Sequence, residues 1–202
     1  MTAYAQTPSY AVTGFTVTGQ GTYTLGYNFK PTQDIYVTSV GQWIRGTDTI
    51  TGTSTAGIFD NSGVLLFSTP FTQANATIVG NTDVNGNQFR YTDVASQFSS
   101  STRKLLANTQ YTIGATGYND TVIAQATNLT FDPSVTLTSV GLYTAGGFQR
   151  PVTTNAFNIY GANFQYSLSS GAAAATPEPG SVALLAGLGI SGSVFALRRR
   201  KA

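Results

Sequence analysis

The chain has 202 residues, no cysteine, no histidine and only 9% charged residues, against roughly 25% in ordinary soluble domains. Those absences exclude disulfides, thiolate catalysis, cysteine-type zinc sites and the usual histidine base. The formal charge of +2 comes from the C-terminus: beyond residue 176 lie four of ten basic and one of eight acidic residues, so six positive and seven negative groups leave the body at −1. That gives no basic field for phosphates and argues against a nucleic-acid partner.

The chain opens Met1-Thr-Ala3-Tyr-Ala5-Gln6. This start has neither a basic nor an apolar leader, yet Ala3-Tyr4-Ala5 has the small-x-small form of a signal-peptidase site. Gly14–Thr18 and Thr22–Phe29 alternate Thr with aromatic or aliphatic residues, which predicts strands. Pro31–Asp34 reads as a turn and Ile35–Ile44 as a long strand. After a polar connector at Gly46–Thr53, Ala56–Phe59 and Val64–Phe71 form a hairpin around Asp60-Asn61-Ser62-Gly63, whose glycine can take a positive φ. Thr72–Gly86 reads as a long polar loop, Gln88–Val94 as a strand, and Ser96–Leu106 as a short helical or irregular piece. Gln110–Gly117, Thr121–Ala124, Val135–Tyr143 and Ala156–Ser167 bring the total to about ten strands, with no amphipathic helix. Short strands at this spacing predict an all-β, antiparallel two-sheet sandwich or jelly-roll-like domain over 20–168, after an N-terminal segment at 1–19. Val37-Thr-Ser-Val-Gly41 recurs as Leu137-Thr-Ser-Val-Gly141, each followed after one residue by an aromatic, Trp43 and Tyr143. Either the two are equivalent positions in two sheets or the match is a coincidence of composition.

The body offers little for catalysis. Its acids are seven Asp, none in a motif, and scattered Asp reads as turn chemistry; a polysaccharide-active enzyme would need two of them to converge. The chain therefore reads as no enzyme. Asp83-Val-Asn85-Gly-Asn87 offers oxygen ligands for Ca²⁺, but the EF-hand pattern needs an acid where Val94 stands, so a structural turn is favoured and no cofactor is expected. Trp43 is the candidate glycan-stacking ring, with a core position as the stronger reading.

A linker at 169–179 ends in Pro177-Glu178-Pro179, where two prolines deny helix and strand pairing and leave extended, accessible backbone. Gly180–Leu197 follows with no charge; as a helix it spans about 27 Å, enough for a bilayer core. Arg198-Arg199-Arg200-Lys201, in the terminal segment 198–202, should stay cytoplasmic and place the body on the far side.

Pro-Glu-Pro, a short hydrophobic span and a terminal Arg cluster, in that order at that end, resemble a PEP-CTERM sorting signal. The resemblance implies a bacterium that makes exopolysaccharide and has an outer membrane. It makes Pro177, Glu178 and Pro179 the recognition motif for a membrane-embedded exosortase, with Arg198, Arg199 and Arg200 as retention charge. It implies export, an inner-membrane anchor before processing, and delivery to the cell surface or outside. Leu25-Gly-Tyr-Asn-Phe29, Gly57-Ile-Phe-Asp60 and Leu105 to Gly114, with Ile159 to Gln165 as a closing strand, resemble an exported β-sandwich domain of unknown function that often precedes such tails. Three functions are open on the sequence: a non-catalytic structural or adhesive matrix protein associated with exopolysaccharide or biofilm, a carbohydrate-binding module for that polymer, and an Asp-based enzyme acting on it.

The small-x-small motif with export implied generates one expectation. Translating the DNA upstream of Met1 should extend the frame into an apolar secretory leader; an upstream stop codon with no such leader would sink it.

Overall fold

The computed structural model describes residues 7–8, 10–12, 15–18, 23–44, 50, 54–82, 88–116, 123–126, 129–139, 141–154 and 161–170. All of them lie in the compact unit Tyr4–Gly171. In chain order the strands are β1 (Thr7–Pro8), β2 (Tyr10–Val12), β3 (Phe15–Thr18), β4 (Tyr23–Pro31), β5 (Ile35–Ile44), β6 (Ser54–Asp60), β7 (Leu65–Phe71), β8 (Ile78–Thr82) and β9 (Gln88–Asp93). The short helix α1 (Ser100–Arg103) is followed by β10 (Lys104–Leu105), β11 (Tyr111–Thr116), β12 (Ile123–Ala126) and β13 (Leu129–Phe131). Then come β14 (Val135–Leu137), β15 (Leu142–Ala145), β16 (Thr153–Thr154) and β17 (Ala162–Ser167).

Two antiparallel sheets carry the fold. The first runs β1-β17-β5-β9-β8 with β10 also on β5; the second runs β16-β15-β4-β11-β6-β7 with β14 also on β4. Two further ribbons pair β12 with β3 and β13 with β2. The result is all-β, two-sheet and sandwich-like, with one helix of a single turn among the described residues.

Register in the second sheet separates its two faces. Tyr27, Ile113, Ile58 and Phe67 lie opposite one another across four strands and point to the core. Asn28, Thr112, Phe59 and Leu65 form the next row, on the outer face. Gly26, Gly114 and Gly57 form another outer row. A Cβ on Gly26 would sit 1.8 Å from the Ile113 carbonyl oxygen, so only glycine allows the strands to close there.

The two sheets meet at Phe29 of β4 and Phe164 of β17, whose ring centroids are 4.7 Å apart. Around them pack Ile35, Val37, Val40, Tyr27, Tyr111 and Ile113, all fully or nearly buried. Each such large side chain contributes about 1.5–3 kcal/mol when taken from water.

β5 carries one residue more than its partner requires. Ser39 faces Gln165 and Val37 faces Tyr166, so Thr38 has no opposite number on β17. Val37 and Val40 therefore share a face, the one bearing Phe164 and turned to the second sheet. Gly41 and Trp43 go to the other face with Tyr91 and Phe89. Both faces of β5 are buried. On its β9 side, pairing stops at Ser39–Asp93 and resumes at Tyr36–Lys104 on β10. The gap is filled by other donors: Val94 and Ala95 N–H donate to the Thr38 carbonyl at 2.9 and 3.2 Å. Arg103 Nη1 donates to the Val37 carbonyl at 2.6 Å and its Nε to the Phe98 carbonyl at 3.0 Å. Burial lowers the Arg103 pKa, and the negative charge of Asp93 works the other way. α1 exists to present this arginine, capped by the Ser99 hydroxyl accepting from Thr102 N–H.

The strand expectations are met at β4, β5, β6, β7, β9 and β11, within about two residues at each end. Two differ. Thr72–Gly86 is not a loop throughout, because Ile78–Thr82 forms β8 against β9 with an irregular register. Val135–Tyr143 is not one strand. Leu137 faces Phe29 while Leu142 faces Gly26, five residues advancing against three, so the segment bulges into β14 and β15. The bulge is held by Thr138 N–H on the Asn28 carbonyl and Asn28 N–H on the Ser139 hydroxyl, each 2.9 Å. Thr38 to Gly41 of the first Thr-Ser-Val-Gly copy thus lie within β5, whereas the described Thr138 and Ser139 of the second lie in the bulge between β14 and β15.

Arg103 gives a direct test. Arg103→Met keeps the aliphatic stem but strands the buried Val37 carbonyl and the half-buried Phe98 carbonyl, and urea unfolding should show a loss of about 2 kcal/mol. A loss below about 0.5 kcal/mol, the range of an ordinary surface change, would contradict this account of the gap.

Candidate functional site

The sorting residues Pro177, Glu178, Pro179, Arg198, Arg199 and Arg200, the span 180–197 and the candidate calcium residues Asp83, Asn85 and Asn87 all lie outside the described residues. Among the described residues no helix is long and apolar enough to cross a membrane. Trp43 is 3% exposed and its ring meets Phe89 edge-on at 4.8 Å. Its ring face is therefore not open to a sugar, and it stands in the structure as a packed residue.

Four of the seven Asp are described, and each is tied into local structure. Asp34 pairs with Lys104 at 2.7 Å and accepts from Ala107 N–H. Asp60 accepts from the Ser62 hydroxyl and Val64 N–H in the hairpin turn, where Gly63 has φ +93°. Asp93 accepts from Ala95 and Ser96 N–H. Asp132 accepts from Ser134 N–H and the Tyr166 hydroxyl, which fastens the β13–β14 turn to β17. Burial, and then that bond, push the Tyr166 phenol up. No three acidic, histidine or cysteine side chains come together as a metal site among the described residues.

The richest polar arrangement is on the outer face of the second sheet, and the sequence reading missed it. The β15–β16 connection folds back over that face. Thr24 donates to the Gly147 carbonyl at 3.1 Å and accepts from Gln149 N–H at 3.2 Å. Phe148 stacks on Phe59 at 5.4 Å, and Pro151 lies against Gly114, where a Cβ would meet it at 3.1 Å. Arg150 crosses the β6–β7 turn, its Nε on the Thr112 hydroxyl and its Nη1 on the Asn61 carbonyl, both 3.1 Å. Thr112 donates onward to Asn28 at 2.7 Å. Gln110 bridges Asn61 at 2.9 Å and Thr138 at 3.5 Å. The sequence signal for this surface was the spacing of Gly26, Gly57 and Gly114 at the centres of three strands, with Gly-Gly-Phe-Gln-Arg-Pro at 146–151 to fit over them.

The bonds at Asp34 and Asp60 set a pH dependence. The Lys104 ammonium and then Ala107 N–H hold the Asp34 carboxyl below its usual range; the Ser62 hydroxyl and Val64 N–H do the same for Asp60. A carboxyl lowered in the fold stabilises it above the unfolded pKa, about 3.9, and loses that contribution as pH falls through the folded value. The Tm should therefore be flat from about pH 7 to 5 and fall below about pH 4, more shallowly in Asp60→Asn. Parallel acid limbs in the two proteins would rule the turn carboxylate out.

Comparison with known families finds one region of similarity: residues 175–201 match the model of the PEP-CTERM protein-sorting motif. No curated protein and no solved structure matches the chain. The match covers the Pro-Glu-Pro tripeptide, the uncharged span and the basic cluster, and it implies export and processing by an exosortase. The chain carries a PEP-CTERM protein-sorting motif at its C-terminal end.

Proposed function

We propose that this is an exosortase-sorted protein of the cell surface or extracellular matrix, whose sandwich or jelly-roll body acts without catalysis as a structural or adhesive element associated with exopolysaccharide or biofilm. The sorting motif at 175–201 carries the reading. In this reading 180–197 spans the inner membrane until the exosortase cuts near Pro177-Glu178-Pro179, and Arg198 to Arg200 hold the anchor in place. The body works without a metal or cofactor. Its described carboxylates support that view, since each is engaged in a turn or an ion pair.

A second reading, a carbohydrate-binding module for the host polymer, is favoured by the ordered amide and hydroxyl surface around Arg150. Amides, hydroxyls and a few rings are the groups with which protein surfaces orient polar ligands.

The sorting step is tested in the producing cell. Replacing Pro177-Glu178-Pro179 with three alanines should abolish the shortened mature form and leave full-length protein in the membrane fraction. Unaltered processing and release would overturn the assignment of the tripeptide.

A further inference from the structure

We propose that the outer face of the second sheet, around Arg150 and Lys30, binds a carboxylated polysaccharide, with the Arg150 guanidinium taking a sugar carboxylate. The proposal deepens the carbohydrate-binding reading and rests on it.

Charge distribution carries the argument. Register puts Lys30 two residues beyond Asn28 on β4, and thus on the same face as the Asn28–Thr112–Phe59–Leu65 row. Arg150 lies over that row through its bond to Thr112. Lys30 is exposed and Arg150 half-buried, and neither has an acidic partner among the described residues. None of the four described carboxylates pairs with either cation. Asp34 is paired with Lys104, and Asp60, in the turn that Arg150 crosses, is engaged by the Ser62 hydroxyl and Val64 N–H. Asp93 faces Ser39 in the first sheet, and Asp132 is bonded to Tyr166. A body with net charge −1 has thus gathered two cations on one face, neither of them ion-paired with a described carboxylate.

The guanidinium is also positioned in advance. Nε and Nη1 are anchored on Thr112 and Asn61, while Nη2 has no partner among the described residues. The stem rests against Gly63, whose Cβ position lies 3.5 Å from Nη1. A planar fork fixed in this way suits a carboxylate, and little side-chain freedom is left to lose on binding. On the same face stand uncharged groups, Gln110 bonded to Asn61 and Thr138, and Thr136 opposite Lys30, with Leu65 and Phe148 as apolar surface beside Phe59. Two cations among amides and hydroxyls fit a sparsely charged polymer better than a dense polyphosphate, which needs many basic contacts. The exposed Lys30, Asn61 and Leu65 leave the rest of this face accessible to a long chain that runs past it.

The test uses the full chain and three polymers: polygalacturonate, its methyl ester, which keeps the backbone but not the charge, and polyglutamate. Polygalacturonate should be retained and the ester only weakly, with Arg150→Gln weakening binding about tenfold. Lys30→Gln, at an exposed position with no partner to lose, should weaken it by a smaller factor and keeps the test valid if Arg150→Gln lowers the Tm. Equal binding to acid and ester, unchanged in both variants, overturns this site and leaves the carbohydrate-binding reading standing. No retention on either sugar polymer overturns both. Polyglutamate held as tightly as polygalacturonate overturns a sugar as the ligand and points to an acidic peptide.

Discussion

Between Ser39–Asp93 and Tyr36–Lys104 the central strand of the first sheet has no neighbouring strand to bond on its β9 side. The Val37 and Thr38 carbonyls there are buried, and a buried carbonyl without a donor costs about 1–3 kcal/mol. Three groups close the gap: two backbone N–H groups from the turn after β9, and the guanidinium of Arg103. The extra residue that opens the gap also sorts the side chains. With Thr38 inserted, Val40 joins Val37 against the second sheet and Trp43 leaves for the opposite face. If Thr38 were instead paired in ordinary alternation from Val37, Ser39 and Gly41 would stand opposite Phe164 and Ala162, where Val40 and Gln42 now stand. The Gln42 amide that reaches Ser54 of β6 would then turn to the opposite face. The helix, the bulge and the sheet-to-sheet contact are therefore parts of one arrangement.

Elsewhere the same need is met almost without ions. Lys104–Asp34 is the one ion pair among the described residues. Turns and strand ends are held instead by Asp, Asn, Ser and Thr side chains on nearby backbone, as in the Asn75 bonds to Thr72 N–H and the Pro70 carbonyl. Hydrogen bonds of this kind are not screened by salt in the way that surface ion pairs are. A body exposed to changing ionic strength outside the cell keeps its loops by this route. The low charge that set the chain apart at first reading is thus a structural device.

How far the sequence could be read follows from which contacts are local. Period-two alternation located the strands that are buried on one or both faces, because alternation and burial have one cause. The Asp60–Gly63 turn was legible for a similar reason: its carboxylate bonds residues only two and four positions away. The bulges were not. Val37-Thr-Ser-Val-Gly41 alternates plausibly on its own, and only the register with β17 shows that Thr38 is extra. β8 was missed because Ile78–Thr82 includes Gly80, Asn81 and Thr82, and its pairing with β9 is a tertiary fact. Arg150 carried no motif; its neighbours Asn61 and Thr112 are 89 and 38 residues away in sequence. The tail is the reverse case. Its tripeptide, span and basic cluster are read in order along the chain, so the sequence alone exposes them.

The two kinds of information also constrain each other. An exported β-protein without cysteine folds without disulfides, and its sheet edges must not pair with other copies. β7 is one edge of the second sheet, and it carries exposed Pro70, which removes a ladder donor. Its bulge opposite Ile58–Phe59 interrupts the straight edge that another strand would need. Contacts made through edges are indiscriminate, whereas contacts made through a face with ordered side chains can select. The edge is blunted while the face around Arg150 is organised by side chains drawn from five segments of the chain. In the proposed reading the selective contact of this sheet is made by that face, not by the β7 edge.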